Sequence, residues 1–247
     1  MKKLLILLLC FVLCFSACGT EEPQQTVEPP KTSSENVSEE QEQQHEEETP
    51  FEYELYPVKT WTDSIGTSWA QVVIGITNVS SENLYLDSAS VDLETEDGSL
   101  FATQNYIGAY PQVIAPSETA YYYEEIMLDS APEGQLYDNW HISVAPATVE
   151  QIQFPVTDVT VSADNFGYLK AIGRVENTTS EEQSLILVSI MLFDVENVPI
   201  AHMFNYVDLA PNDKMGFECS SLSLPDDITI EDVASYVAVA YPHQYQF

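Results

Sequence analysis

The chain has 247 residues, enough for one large domain or two of ordinary size, and 45% of them are hydrophobic. Its 40 Asp and Glu residues against 7 Lys and Arg residues give a formal net charge of −33. So acidic a chain lacks the clustered cations that bind nucleic-acid phosphates, and anionic membrane surfaces repel it.

The N-terminus has the pattern of a secretory signal peptide. The basic pair Lys2-Lys3 precedes a twelve-residue apolar run, 4–15, which is too short to cross a bilayer of about 30 Å as a helix. The sequence Phe15-Ser16-Ala17-Cys18 resembles the lipobox of bacterial lipoproteins, with Phe where Leu is usual. The resemblance implies that residues 1–17 are removed and that Cys18 carries a diacylglycerol thioether. The alternative is an ordinary signal peptide with Cys18 left unmodified.

The cysteine positions fit this organisation. Cys10 and Cys14 leave with the signal peptide, so Cys219 remains alone in the folded part and no intramolecular disulfide forms. A lone Cys in an apolar, strand-like stretch is typical of a small buried hydrophobe. A catalytic thiol needs a His partner and a cationic setting, and neither is near Cys219 in the sequence.

The segment Thr20 to Pro50 is different in composition from the rest. It holds ten Glu residues, one Lys and no aromatic residue. Such a segment cannot offset its chain entropy by burial, so we expect residues 18–50 to be a disordered acidic tether behind the lipid anchor.

The remaining residues contain an internal repeat of about 100 residues, a common domain size. The run 69–82 matches 168–181, the sequence Ile-Ala-Pro at 114–116 matches Leu-Ala-Pro at 209–211, and both copies close on an apolar alternation that ends at Pro146 or Pro242. The repeat predicts two tandem domains, 51–150 and 151–247.

Both copies are predicted to be β-structure. Val91, Leu93 and Thr95 alternate with acidic residues, which is the period of a half-buried strand, and the sequence 96–98 (Glu-Asp-Gly) is typical of a hairpin turn. Asn78 and Asn177 are predicted to be turn residues. Short strands with frequent turn signals predict an all-β protein of two immunoglobulin-like β-sandwiches. A brief helical turn is expected at 229–234, where Thr229 and Asp232 have capping-box spacing.

The second copy resembles the FxLYD domain of lipoproteins from Gram-positive bacteria. The resemblance rests on Gly173, the turn at 177–179, the sequence Met191-Leu192-Phe193-Asp194 and the sequence 209–211. Ile190 stands at the Phe position of the motif, and Phe193 stands at the Tyr position. The first copy keeps only Val91 and Leu93 of this motif. These motifs specify strands and turns, so the resemblance implies a fold and no catalytic residues.

Several candidate chemistries were weighed against the sequence. None of His45, His141, His202 and His243 has a metal-ligand spacing such as His-x-x-x-His, although zinc bound across strands stays open. The acidic stretch 92–98 departs from a calcium loop and fits a hairpin better, whereas calcium at 226–232 stays a weaker option. No Gly-x-Ser-x-Gly elbow, phosphate-binding loop or dinucleotide fingerprint is present.

The clearest indication of binding comes from aromatic residues. Tyr121-Tyr122-Tyr123 places rings on alternating faces of a strand, so at least one ring is expected to point away from the core. We therefore expect a lipid-anchored extracellular protein of the cell membrane, held by diacylglycerol on Cys18, that acts as a non-enzymatic interaction module. It has no catalytic, cofactor or metal residues assigned, and its partner is a protein or a glycan. The alternative is a solute- or glycan-binding lipoprotein that uses exposed aromatic side chains.

Overall fold

The first half of the folded chain consists of short strands separated by tight turns. The computed structural model describes residues 49–221, 223–225 and 227–243. The predicted signal peptide, Cys18 and nearly all of the predicted tether lie outside these residues. The strands of the first half are β1 (Phe51–Leu55), β2 (Lys59–Thr62), β3 (Ser68–Asn78), β4 (Leu84–Leu86), β5 (Ala89–Glu94), β6 (Leu100–Ile107), β7 (Ala109–Tyr110), β8 (Val113–Ile114), β9 (Thr119–Leu128), β10 (Tyr137–His141) and β11 (Val144–Pro146).

These strands form a two-layered β-sandwich, called the first sandwich below. One layer has the antiparallel order β1-β3-β9-β7, with β2 also paired to β3. The other layer is broken between Leu86 and Ala89 into two pieces, with orders β10-β5-β6 and β11-β4-β8. Eighteen buried side chains form the core between the layers, among them Ile76, Leu86, Leu93 and Tyr122.

The second half forms a simpler sandwich, called the second sandwich. Its strands are β12 (Val156–Ala163), β13 (Leu169–Glu176), β14 (Gln183–Phe193), β15 (Pro199–Leu209), β16 (Lys214–Ser220) and β17 (Ser235–Pro242). The layers have orders β12-β13-β16 and β15-β14-β17, and they enclose a core of their own that includes Leu169, Ile190 and Leu209. The prediction of an all-β protein with tandem β-sandwiches is confirmed.

The strand orders of the two halves correspond, as the sequence repeat predicts. The layer β12-β13-β16 matches β1-β3-β9, and β15-β14-β17 matches β6-β5-β10. The single strand β14 covers the positions that β4 and β5 share in the first sandwich. Glu47–Phe247 nevertheless forms one compact unit, because a further buried cluster joins the two cores.

Several local predictions are also confirmed. Residues 95–99 form the turn between β5 and β6, where Gly98 has a φ of 79° that glycine adopts without strain. Thr229 caps a short 3₁₀ helix, Ile230–Asp232, and Thr229 and Asp232 make both hydrogen bonds of a capping box. Among the described residues, no helix has the length and apolar character needed to cross a membrane.

Candidate functional site

The two sandwiches pack against each other through the outer faces of two strand pairs. β3 and β9 of the first sandwich face β14 and β15 of the second. The interface cluster comprises five buried side chains, Tyr56, Val73, Tyr123, Met191 and Phe193, with Tyr121 and Val198 packed against them. Both faces of β3 and of β14 are therefore covered, one by the strand's own core and the other by the neighbouring sandwich.

A chain of hydrogen bonds crosses this interface beside the interface cluster. The Gln71 amide donates to Tyr123 Oη at 2.6 Å and to the carbonyl of Ile200 in the second sandwich at 3.0 Å. Tyr123 Oη donates to Glu125 at 2.8 Å, and the Ser223 amide of the second sandwich donates to the other oxygen of that carboxylate at 3.1 Å. Glu125 thus contacts the second sandwich through one oxygen and holds Tyr123 of its own strand with the other.

An aromatic cluster surrounds His202 on the second sandwich. The His202 ring lies 4.1 Å from the Tyr110 ring, 5.5 Å from the Tyr123 ring and 5.8 Å from the Phe204 ring, measured between centroids. Its Nε2 lies 2.9 Å from Ser189 Oγ. Burial lowers the pKa of His202 to about 3, so the imidazole is neutral at physiological pH.

These groups line an open cleft of about 190 Å³ between the sandwiches. The cleft is lined by Trp69, Tyr110, Tyr123, Glu124, Glu125, His202, Met203, Phe204 and Ser220. Aromatic rings thus form much of its wall, and Glu124 and Glu125 are its acidic groups.

The two carboxyl groups of the cleft are both disfavoured as anions. Burial raises the pKa of Glu125 to about 7, although the hydrogen bonds from Tyr123 and Ser223 oppose the shift. Burial also raises the pKa of Glu124. Within the described part of the chain, the Glu124 carboxylate has neither a hydrogen-bond donor nor an ion-pair partner. Among the described residues, Glu124 is therefore a partly buried acid that no hydrogen-bond donor or positive charge pairs with.

A wider groove of about 500 Å³ adjoins the cleft and shares Trp69 with it. Two hairpin turns project Ile65 and Phe166 into it, and each of these side chains is 86% exposed. The turns are built alike, because Asp63 and Asp164 each accept hydrogen bonds from two backbone amides of their own turn. Exposed Tyr168 also lines the groove.

The three consecutive tyrosines alternate between faces as expected, but none of the three side chains is exposed. Tyr122 lies in the core of the first sandwich, Tyr123 is buried in the interface cluster and Tyr121 packs against that cluster. The two rings that point away from their own core, Tyr121 and Tyr123, therefore pack toward the second sandwich. The exposed aromatic rings lie elsewhere and include Tyr106, Phe166 and Tyr168.

The other candidate residues take part in core packing, an ion pair or a turn. Cys219 is buried in the core of the second sandwich, and burial raises the pKa of its thiol to about 12, so the prediction of a small buried hydrophobe is confirmed. His141 pairs with Asp92 at 3.1 Å on an exposed face, and Asp97 accepts hydrogen bonds within its hairpin turn. Over the described residues, no three His, Cys, Asp or Glu side chains are grouped closely enough to hold a metal ion.

Comparison with models of known protein families and with curated proteins finds no match to this chain. The lipobox and FxLYD resemblances rest on the sequence motifs alone and stay predictions.

Sequence reasoning named Tyr123 and His202 as candidates but did not bring the residues of the cleft together. Glu124, Glu125 and His202 have no motif spacing, because the cleft forms only when two distant sheet faces meet. One signal was present in β3, where the run 69–76 is apolar on both faces apart from Gln71. A strand covered on both faces is expected to be continuously apolar.

Proposed function

We propose that this protein is a lipid-anchored, extracellular binding module that holds a ligand in the cleft between its two sandwiches without transforming it. In this proposal Cys18 carries the lipid, residues 18–50 form the tether, and the two sandwiches form the displayed body. The anchor and the tether rest on the sequence pattern described above.

The observation that carries the binding function is the composition of the cleft. Ligand sites are concave, largely apolar and aromatic, and contain a few placed polar groups. The cleft is lined by Trp69, Tyr110 and Phe204 together with two acidic residues, Glu124 and Glu125. Its walls come from two sandwiches joined by buried contacts, so the site is largely formed before a ligand arrives.

Binding without chemistry is favoured by the state of the titratable groups. General acid–base catalysis works best when the pKa of the group lies near the operating pH. His202 is far from that condition, and Glu125, whose pKa of about 7 meets it, has both oxygens engaged by hydrogen bonds from Tyr123 and Ser223. Cys219 is buried with a strongly raised thiol pKa, so it is a poor nucleophile.

A second candidate function is glycan binding along the wider groove. The observation that favours it is the pair of exposed rings, Phe166 and Tyr168, on one side of that groove. Aromatic rings at a surface provide large apolar faces at low entropy cost. The FxLYD resemblance, with its occurrence in surface lipoproteins, agrees with either candidate.

The anchor is tested by replacing Cys18 with Ser in the full-length protein expressed in a Gram-positive host. We expect wild type in the detergent phase and degraded by protease added to intact cells, because the body is displayed outside. Cys18→Ser is expected in the medium or as an uncleaved precursor. Cys219→Ser is the matched control and should partition as wild type. Equal membrane retention of Cys18→Ser and wild type would contradict the anchor.

The binding function is tested by thermal shift with a panel of small cations, neutral amides, sugars and cell-wall fragments. We expect at least one compound to stabilise wild type and to stabilise Trp69→Ala much less, since Trp69 lines both the cleft and the groove. A panel without any such compound would count against the binding function.

A further inference from the structure

We propose that the ligand of the cleft carries an alkylammonium group, which sits among the aromatic rings beside Glu124. This inference rests on the proposed binding function and names the chemical class that the cleft selects.

The first argument is the arrangement of the rings. Tyr110 and Phe204 stack 6.2 Å apart and come from different sandwiches, while Trp69 lines the same cleft from β3. Aromatic faces attract an ammonium group within about 6 Å, and aromatic cages are a recurrent way to bind methylated ammonium ligands. The imidazole of His202, in the same cluster, is uncharged and does not repel a cation.

The second argument is the unpaired acid. Glu124 is partly buried and has no compensating group in the described part of the chain. Removing a carboxylate from water is costly unless a positive charge or hydrogen-bond donors replace the water. A bound ammonium group supplies that charge at the point where the protein lacks it.

The third argument is the position of the protein's own cations. Lys170, Arg174 and Lys214 form ion pairs on the β12-β13-β16 layer with Glu218, Asp158 and Glu176, respectively. Lys59 shares a register row with Gln71 and Glu125, but β3 lies between it and Glu125, and it does not line the cleft. Within the described residues, acids and rings therefore line the cleft without a lysine or arginine.

The size of the cleft indicates what part of a ligand it holds. Its volume of about 190 Å³ lies below the roughly 300 Å³ at which pockets for drug-sized ligands begin. A trimethylammonium or lysine head group fits this range better than a whole sugar. The ammonium can belong to a free small molecule or to a lysine side chain of a peptide, and the chemistry of recognition is shared.

Calorimetric titration of the full mature protein separates these possibilities. The probes are choline, its neutral isostere 3,3-dimethylbutanol, and acetyl-lysine amide with a free ε-ammonium group. We expect at least one cation to bind about tenfold or more tightly than the neutral isostere. Preference for choline indicates a small-molecule source, whereas preference for the lysine derivative indicates a peptide source.

Two variants show whether the charge and the rings act together. Glu124→Gln should weaken the preferred cation about tenfold and leave the neutral isostere unchanged, and Phe204→Ala should weaken the cation by a similar factor. Glu133→Gln, an exposed acid on another loop, is the matched control. A single cooperative melting transition and a wild-type circular dichroism spectrum would show that each variant folds.

The outcomes distinguish the two proposals. If the neutral isostere or a sugar binds as tightly as the cations and Trp69→Ala abolishes that binding, the ammonium proposal is wrong and the binding function stands. If cations bind equally to wild type and Glu124→Gln, the ammonium proposal is also wrong. If no compound in either experiment binds, both proposals fail.

Discussion

Asn78 and Asn177 make the same pattern of hydrogen bonds at equivalent positions of the two sandwiches. Both are fully buried, and both amides donate to the carbonyl four residues ahead, at 2.8 Å for Glu82 and 2.7 Å for Glu181. Each side-chain oxygen also accepts from the amide and the hydroxyl of Ser80 or Thr179. The predicted turn residues are thus buried hydrogen-bonding corners that hold a loop onto the sandwich.

Replacing Asn177 with Ala should therefore destabilise the protein strongly. The Asn177 Nδ2 group is buried, so its removal takes a donor from the carbonyls of Glu181 and Ala210 at a site that water does not readily reach. We expect a loss of about 3 kcal/mol in the free energy of unfolding, measured by chemical denaturation. Asn139→Ala, at an exposed position of β10, is the control and should change stability by less than about 0.5 kcal/mol. Equal losses of stability in Asn177→Ala and Asn139→Ala would show that the hydrogen bonds of Asn177 do not hold the loop onto the sandwich.

Glu125 makes stability depend on pH in an identifiable direction. Its pKa in the fold is about 7, above the ordinary carboxyl value of 4.5, so the folded state favours the protonated form. The stabilisation from protonation is fully present below about pH 4.5 and is lost as the pH rises through about 7. Glu124 on the same strand reinforces the shift, Lys59 lies one strand beyond Gln71, and the facing His202 is neutral.

Glu125→Gln should remove this dependence. At pH 8 we expect the variant to be more stable than wild type by up to about 3 kcal/mol, and near pH 4.5 the two should be equal. Melting temperatures recorded from pH 4.5 to 8 provide the measurement, with Glu133→Gln as the control. If wild type instead loses stability relative to Glu125→Gln as the pH falls, the raised pKa of Glu125 is contradicted.

At the scale of elements, β13 shows why a glycine interrupts a strand. A Cβ added at Gly173 would lie 2.6 Å from Phe217 Cζ and 3.1 Å from Val159 Cγ2. The Phe217 ring is buried in the core of the second sandwich and crosses the neighbouring strand over this position. The repeat places Ile74 of β3 at the position equivalent to Gly173, whereas the neighbouring Gly75 faces the interface and is less crowded, with the nearest atom of Tyr121 at 3.3 Å.

Gly173→Ala should accordingly cost about 1 to 3 kcal/mol of unfolding free energy, because the Phe217 ring has to move within a packed core. Gly75→Ala should cost less. Adding Phe217→Leu to Gly173→Ala should recover part of the loss, and a double-mutant cycle by denaturation measures that coupling. Additive effects of the two changes would show that the ring and the glycine do not interact.

Sequence patterns predicted the strands and turns better than they predicted which surfaces pack against them. The alternation at 91–95, the acidic hairpin after it and the capping box at Thr229 depend on neighbours within a few residues, and all are present. The nearly continuous apolar run 185–193 fits the central position of β14, but its apolar character has a second cause. Met191 and Phe193 leave their own core and pack on the first sandwich. Such a contact joins positions about 70 to 120 residues apart, and local patterns hold no information about it.

At the scale of the whole molecule, the interface cluster joins two sandwiches that have separate cores. Val72 and Val73 are adjacent in β3, but Val72 lies in the core of the first sandwich and Val73 in the interface cluster. The segment between the sandwiches is also held, because the Gln151 amide donates to the Val113 carbonyl and the Phe154 side chain is buried in the second core.

This pair of valines allows the interface to be weakened without damage to a core. Val73→Asp buries an unpaired charge between the sandwiches, so we expect a larger radius of gyration, faster protease cleavage at 147–153 and a retained β-sheet circular dichroism spectrum. Val72→Asp should instead lose the β-sheet signal of the first sandwich. If Val73→Asp also unfolds the first sandwich, the two contacts are not separable and the description of two cores joined by an interface is wrong.

Binding of an alkylammonium ligand in the cleft between the sandwiches should be visible at the three tryptophan side chains, Trp61, Trp69 and Trp140. Trp69 lines the cleft, Trp61 stacks on Trp69 at 6.3 Å, and Trp140 packs against the core of the first sandwich. In a ¹⁵N-labelled full mature protein titrated with choline, we predict a saturable shift of the Trp69 indole signal, a smaller shift of Trp61 and none of Trp140. A stationary Trp69 signal, or equal shifts of all three signals, would contradict binding in the cleft.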